Sequence, residues 1–124
     1  MKNIKLYVDD LRDCPVGYEV ARNVEEALTF LKDPEINVTV ISLDHDLGEK
    51  DGKLLPDGFD LVQEFAKQGL RADKIYIHTM NSVGREKMYT SLLSYIRHGL
   101  IDSDIKVYNY SITPDTYTET EGGW

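Results

Sequence analysis

The chain has 124 residues, 41% of them hydrophobic, enough for one domain around one core and too few for two. Its formal net charge of −8 leaves no basic excess to displace counterions from phosphates, which argues against duplex nucleic acid and anionic membrane as partners. The single cysteine, Cys14, excludes an internal disulfide, no apolar run nears the roughly 18 residues of a membrane span, and the first residues lack the regions of a signal peptide, so the cytosol is the expected compartment.

Residues 4–8 are mostly apolar on both faces and rich in Val, Ile and Tyr, the pattern of a strand buried in a parallel sheet. A weaker candidate strand follows at 18–22. Only residues 9–17 separate the two, which is short for a helical crossover, so either that crossover is abbreviated or 18–22 is not a central strand. Val24, Ala27, Leu28 and Leu31 then recur at helical spacing after Asn23 as N-cap, with Glu26 at the capping-box position, and Pro34 ends the helix. Residues 38–43 read as a second buried strand. The span 48–57, rich in Gly, Pro and charge, is a loop, long for a strand-to-helix connection and set beside the most polar strand end.

Asp57 caps a helix over 58–68 that turns Leu61, Val62 and Phe65 inward and stops at Gly69. A strand at 74–78 precedes the longest helix, 83–98, with Ser82 as its cap, Met88, Leu92, Tyr95 and Ile96 as its buried stripe, and Gly99 at its end. Residues 105–110 form the last strand, and 111–124 read as an exposed tail. Strands alternating with helices predict a three-layer α/β domain over residues 1–110, an open parallel sheet of about five strands with its first crossover shortened.

The strand ends carry the chemistry. Asp9 and Asp10 follow Val8; Asp44, His45 and Asp46 follow Leu43; His78, Thr79 and Asn81 follow Ile77. In an open parallel sheet such carboxyl ends converge on the crevice where strand order reverses and ligands bind. Carboxylates gathered there repel one another unless a cation neutralises them, which makes Asp9, Asp10, Asp44 and Asp46 candidate ligands of a divalent metal. Oxygen donors suit Mg²⁺ or Mn²⁺, and an added imidazole shifts the preference toward Mn²⁺, Fe²⁺ or Zn²⁺. One such Asp alone is more often an ordinary turn residue than a ligand; three acidic strand ends together point to a site.

Imidazoles exchange protons near neutral pH, so His45 and His78, on two converging strands, fit a general base and a general acid flanking a phosphodiester. A helix beginning at Asn81 or Ser82 exposes backbone N–H groups, Gly84 leaves a ligand room, and Arg85 can hold phosphate bidentately. Thr79, Asn81, Arg85 and Arg12 are therefore the candidate phosphate contacts, with Arg22 a further basic side chain. His98, beside Arg97 in the last turn of a helix, is explained by the helix dipole. Cys14, in a Pro-flanked loop among acids, is a poor nucleophile. The expected partner is a small phosphorylated ligand, and the acidic tail ending in Trp124 leaves a protein partner open.

The order Asp9-Asp10, Asp44, Thr79 at successive strand ends, with Asp57-Gly58 before a helix, resembles the receiver domains of two-component signalling. That resemblance implies Mg²⁺ at the acidic pair, a phosphoryl group on Asp44 and a lysine closing the last strand. Here the last strand ends Tyr108-Asn109-Tyr110-Ser111, Lys106 stands at its other end, and Asp44 is followed by an extra His45-Asp46 pair. The chain is more similar to the receiver-like cyclic-phosphate-processing domains. The similarity lies in Leu6-Tyr7-Val8-Asp9-Asp10-Leu11-Arg12 with Pro15, Ala21-Arg22 with Glu25-Glu26-Ala27, Ser42-Leu43-Asp44-His45-Asp46-Leu47-Gly48, and His78-Thr79-Met80-Asn81-Ser82-Val83-Gly84. It spans roughly residues 4–110 and implies a receiver-like, flavodoxin-like fold with a site that hydrolyses or recognises cyclic phosphates. The expected function is a metal-assisted phosphoesterase, with Asp44 also placed to take part in catalysis; the alternatives are a divergent phosphoacceptor domain using Asp44, or a non-catalytic module that binds a phosphorylated ligand or a protein.

Overall fold

The computed structural model of the protein describes residues 1–110 and 112. Its centre is a parallel sheet in the order β2-β1-β3-β6-β7. The strands are β1 (Lys2–Val8), β2 (Tyr18–Ala21), β3 (Ile36–Leu43), β6 (Lys74–Ile77) and β7 (Lys106–Tyr108). The helices are α1 (Val24–Lys32), α2 (Gly58–Lys67) and α3 (Ser82–Arg97), which makes this an α/β receiver-like fold. Strand order reverses between β1 and β3, so the crevice lies where Asp9 and Asp44 emerge. Among the described residues no helix is long and apolar enough to cross a membrane.

The abbreviated crossover and the strand at Tyr18–Ala21 are both real. β2 is an edge strand, paired in parallel with β1 from Lys5↔Tyr18 to Val8↔Ala21, and residues 9–17 reach it without a helix. Side chains replace the missing helix as a brace. The Arg22 guanidinium donates to the carbonyls of Arg12 (2.8 Å) and Asp9 (3.3 Å), and Cys14 Sγ donates to Tyr18 O at 3.3 Å.

β1 and β3 begin before their apolar runs because Lys2 and Asn3 pair with Ile36 and Asn37 at the exposed end of the ladder, where hydrophobicity gives no signal. A bulge shifts the register between Ile4 and Lys5, and Thr39 in the partner strand donates to Ile4 O at 3.2 Å. β7 stops at Tyr108, shorter than the predicted strand, since its pairing partner β6 is itself short. The 48–57 loop carries a small hairpin, β4 (Glu49–Lys50) with β5 (Lys53–Leu54). Its turn puts Asp51 at φ 54° and Gly52 at φ 79°, the left-handed pair for which Asp-Gly is suited.

All three helices pack on one face of the sheet. Val24 and Ala27, Leu61, Val62 and Phe65, and Met88 and Leu92 join Leu6, Val8, Ile41, Leu43, Ile75 and Ile77 in one buried cluster. The other face carries Tyr7, Tyr18, Val40 and Tyr76, with Ile112 buried against them. Among the described residues that face bears no helix, where the alternation of elements predicts a third layer; the nine-residue-scale link at 9–17 is too short to form one. The predicted tail at 111–124 lies outside the described residues, apart from Ile112.

Candidate functional site

Backbone hydrogen bonds carry the ladder one step past the strands and set the site in a row. Asp9 N–H donates to Ala21 O (3.0 Å), Asp44 N–H to Val8 O (3.0 Å) and His78 N–H to Leu43 O (2.9 Å). The side chains of Asp9, Asp44 and His78 therefore leave adjacent strand ends together. One ligand-type atom from each lies within 4.8 Å of the others.

Asp9 and His78 are each 1% exposed. Asp9 Oδ1 accepts from the N–H groups of Leu11 (2.9 Å) and Arg12 (2.8 Å), and Oδ2 lies 3.0 Å from His78 Nε2. The other ring nitrogen, Nδ1, is 2.6 Å from Ser42 Oγ, and the ring stacks on Tyr7 with centroids 4.3 Å apart. An ionised carboxylate only accepts, so Nε2 donates to Asp9 and the Ser42 hydroxyl donates to Nδ1 in this arrangement.

Burial opposes charge on Asp9, but the hydrogen bonds from His78, Arg12 and Leu11 outweigh it and hold its carboxyl well below the ordinary range. Asp44 moves the other way. Burial, reinforced by the charge of Asp9, raises its pKa against the hydrogen bond from Thr79, the charge of His78 and the His45 N–H (2.8 Å). Two neighbouring carboxylates pushed in opposite directions mark a position short of positive charge. Burial and the nearby Asp9 also raise Tyr7.

His45 sits differently. Its Nδ1 is 3.0 Å from Asp46 Oδ1 and its Nε2 is 3.5 Å from Asp57 Oδ2. Two glycines make room for it. A Cβ on Gly84 would lie 2.5 Å from His45 Cγ, and one on Gly58 would lie 2.1 Å from Asp44 O. The space above Gly84, expected to admit a ligand, is thus filled by the His45 ring. Asn81, rather than Ser82, caps α3, its Oδ1 accepting from Gly84 N at 2.8 Å. Gly58 N–H in turn donates to His45 O at 2.7 Å.

A cleft of about 310 Å³ opens over the acidic row. Asp9, Asp10, Arg12, Asp44, Asp46 and Thr79 line it, with Leu11, Gly48 and Met80. The structure thus brings together most of the residues expected at the site. Arg85 and Asn81 do not line the cleft, and His45 faces an adjoining cavity beyond Asp46. Ser42 escapes a reading of strand ends alone, and Gly58 and Gly84, visible in the sequence, prove to make room for Asp44 and His45 rather than for a ligand. Ser42 does leave a trace, as the one polar residue in the apolar run Val40-Ile41-Ser42-Leu43.

The family model described as "Cyclic-phosphate processing Receiver domain" matches residues 4–94. The chain belongs to this family. No curated protein and no solved structure matches it. The match takes in β1 through most of α3, and so every residue of the acidic row. This cyclic-phosphate processing receiver domain has a donor set that fits a divalent cation: two carboxylates and an imidazole, with one ligand-type atom from each within 4.8 Å of the others.

Proposed function

We propose that the domain is a metal-assisted phosphoesterase acting on a cyclic phosphate or a related small phosphodiester in the cytoplasm. The convergence of Asp9, Asp44 and His78 beneath a cleft that also offers Arg12 and Thr79 supports this most directly. Asp9, Asp44 and His78 would hold Mg²⁺ or Mn²⁺, with Asp10 and Asp46 at the rim. When bound, the ion neutralises the carboxylates and polarises the phosphate.

Ser42 lets His78 serve this role. A hydroxyl accepts as readily as it donates, so Nδ1–H can donate to Ser42 Oγ while Nε2 gives up its proton and presents a lone pair. Both ring nitrogens of His78 are engaged and the ring is buried, which suits holding rather than proton exchange with substrate. Arg12 pairs with phosphate oxygens, while the Thr79 hydroxyl, whose single proton goes to Asp44, steadies that carboxylate beneath the phosphate. A water molecule supplies the oxygen that bonds to phosphorus and loses its proton to solvent, while His45, held by Asp46, gives a proton to the leaving ester oxygen as its bond to phosphorus breaks. Asn81 and Arg85 are left out of these contacts because Asn81 is committed to its helix cap and Arg85 lies outside the cleft.

The test is turnover by purified protein with Mg²⁺ or Mn²⁺ on a panel of 2′,3′-cyclic, 3′,5′-cyclic and ADP-ribose cyclic phosphates. At least one substrate is hydrolysed, and His45→Ala loses the activity while keeping the wild-type circular dichroism spectrum. A panel left wholly intact overturns the proposal.

A second reading, a phosphoacceptor domain, draws support from Asp44 lying beside Asp9 with Thr79 hydrogen-bonded to it. Against it, Asn109 follows the last strand where receivers have their lysine. Incubation with acetyl phosphate followed by intact-mass measurement separates the two. A single phosphoryl adduct absent from Asp44→Asn selects the acceptor reading.

A further inference from the structure

A second cavity, about 700 Å³ in volume, adjoins the metal-and-phosphate cleft, and both are lined by Asp46 and Gly48. Gly48, at φ 85°, occupies the ridge between them; a Cβ there would come within 3.0 Å of Asp10 Oδ2. The far wall is the hairpin. Strand alternation puts Glu49 and its cross-strand partner Leu54 on the cavity side, whereas Lys50 and its partner Lys53 do not line it. Leu54 is 84% exposed, an apolar side chain with no packing role in the core. The cavity therefore combines apolar contact area with carboxylates and one imidazole, His45, and among the described residues neither a lysine nor an arginine lines it.

That composition selects its occupant. A volume in the range of about 300–1,000 Å³ is typical of small-molecule sites. Carboxylates accept hydrogen bonds from sugar hydroxyls and amino groups, as they do from ribose in dinucleotide sites. The same carboxylates repel a phosphate, and the proposed metal, held by Asp9, Asp44 and His78 in the neighbouring cleft, is set to serve the phosphate bound there. We propose that this cavity holds the organic part of the substrate, an uncharged, hydroxyl-bearing group of nucleoside type, and that it excludes a second phosphate. The proposal deepens the phosphoesterase reading and rests on it: one phosphate goes to the cleft and the nucleoside goes beneath the hairpin, with His45 between them. The substrate class is then a nucleoside carrying a single phosphate group, rather than a nucleotide phosphorylated at two positions.

The experiment is calorimetric titration of the full chain in Mg²⁺ with inorganic phosphate, adenosine 3′-monophosphate and adenosine 3′,5′-bisphosphate. The monophosphate binds about tenfold or more tighter than either of the others. Leu54→Asp brings its Kd to that of inorganic phosphate, and Glu49→Lys narrows the gap between bisphosphate and monophosphate. Equal Kd values for monophosphate and inorganic phosphate in the wild type overturn the proposal and leave the phosphate site standing. So does tighter binding of the bisphosphate, or a loss of nucleotide affinity in Leu11→Ala or Met80→Ala but not in Leu54→Asp, which would seat the nucleoside over the cleft rim instead. If inorganic phosphate itself fails to bind, the phosphoesterase reading falls and takes this proposal with it.

Discussion

Asp44→Asn removes the charge that burial and Asp9 both disfavour, so it should make the metal-free protein more stable while removing its response to metal. With ligand-type atoms no more than 4.8 Å apart, two unit negative charges repel by about 3–4 kcal/mol at an effective dielectric of about 20. Water in the cleft and the neighbouring His78 offset roughly half of this, leaving a gain of about 1–2 kcal/mol. The amide keeps an oxygen for the His45 N–H, now 2.8 Å from the carboxylate, so little is lost locally.

The sign follows from linkage. The folded pKa of Asp44 is raised, so the wild type bears the full penalty only above that value, and the penalty fades as pH falls toward the ordinary carboxylate range near pH 4. Urea unfolding in EDTA should therefore show Asp44→Asn ahead of wild type at pH 7 and the two converging at pH 4. Added Mg²⁺ reverses the order at pH 7, since wild type gains about 2.7 kcal/mol at 100 times Kd and the variant gains little. An Asp44→Asn protein less stable than wild type in EDTA at pH 7, or a difference that ignores pH, would refute this electrostatic account of the site.

Ser42→Ala removes the partner of His78 Nδ1 and should weaken Mn²⁺ binding by about 10–100-fold in calorimetry with the fold retained; unchanged affinity would remove Ser42 from the site. Asp9→Ala strands His78 and two backbone N–H groups, a loss of about 3–5 kcal/mol that relief of the Asp44 repulsion reduces to a net cost of about 1–4 kcal/mol at pH 7 by urea unfolding. Because the folded pKa of Asp9 is depressed, its contribution is complete above the ordinary carboxylate value and is lost as pH falls below it, so the gap to wild type should shrink in acid. Gly84→Ala must displace the His45 ring, at about 1–3 kcal/mol, and should lower both Tm and turnover of any cyclic phosphate the wild type hydrolyses. A variant matching wild type in both would show that the ring has no fixed seat.

Much of this domain is legible along the chain because its signals are local. The apolar runs that become β1, β3 and β6, the caps at Asn23 and Asp57, and the acidic strand ends each depend on a few neighbouring residues, and parallel strands alternating with helices leave few topologies. The rule that ligands gather at carboxyl ends then places Asp9, Asp44 and His78 near one another without coordinates. Even the doubtful join at 9–17 is visible as too short for an ordinary crossover.

What remained for the tertiary structure was direction. His45 and His78 look alike as strand-end histidines, yet one is buried between Asp9 and Ser42 and the other turns onto Gly84 toward a different cavity. Their roles follow from which side chains of other strands and helices face them, and no spacing along a single strand encodes that. The opposite charge preferences of Asp9 and Asp44 have the same origin. Both are aspartates at strand ends, but Asp9 receives two backbone N–H groups and an imidazole, while Asp44 is buried beside a carboxylate already charged. Hydrogen bonding and desolvation act through space at a few ångströms, so the sequence by itself determined which residues meet, and only the packing of the strands decided what each meets first.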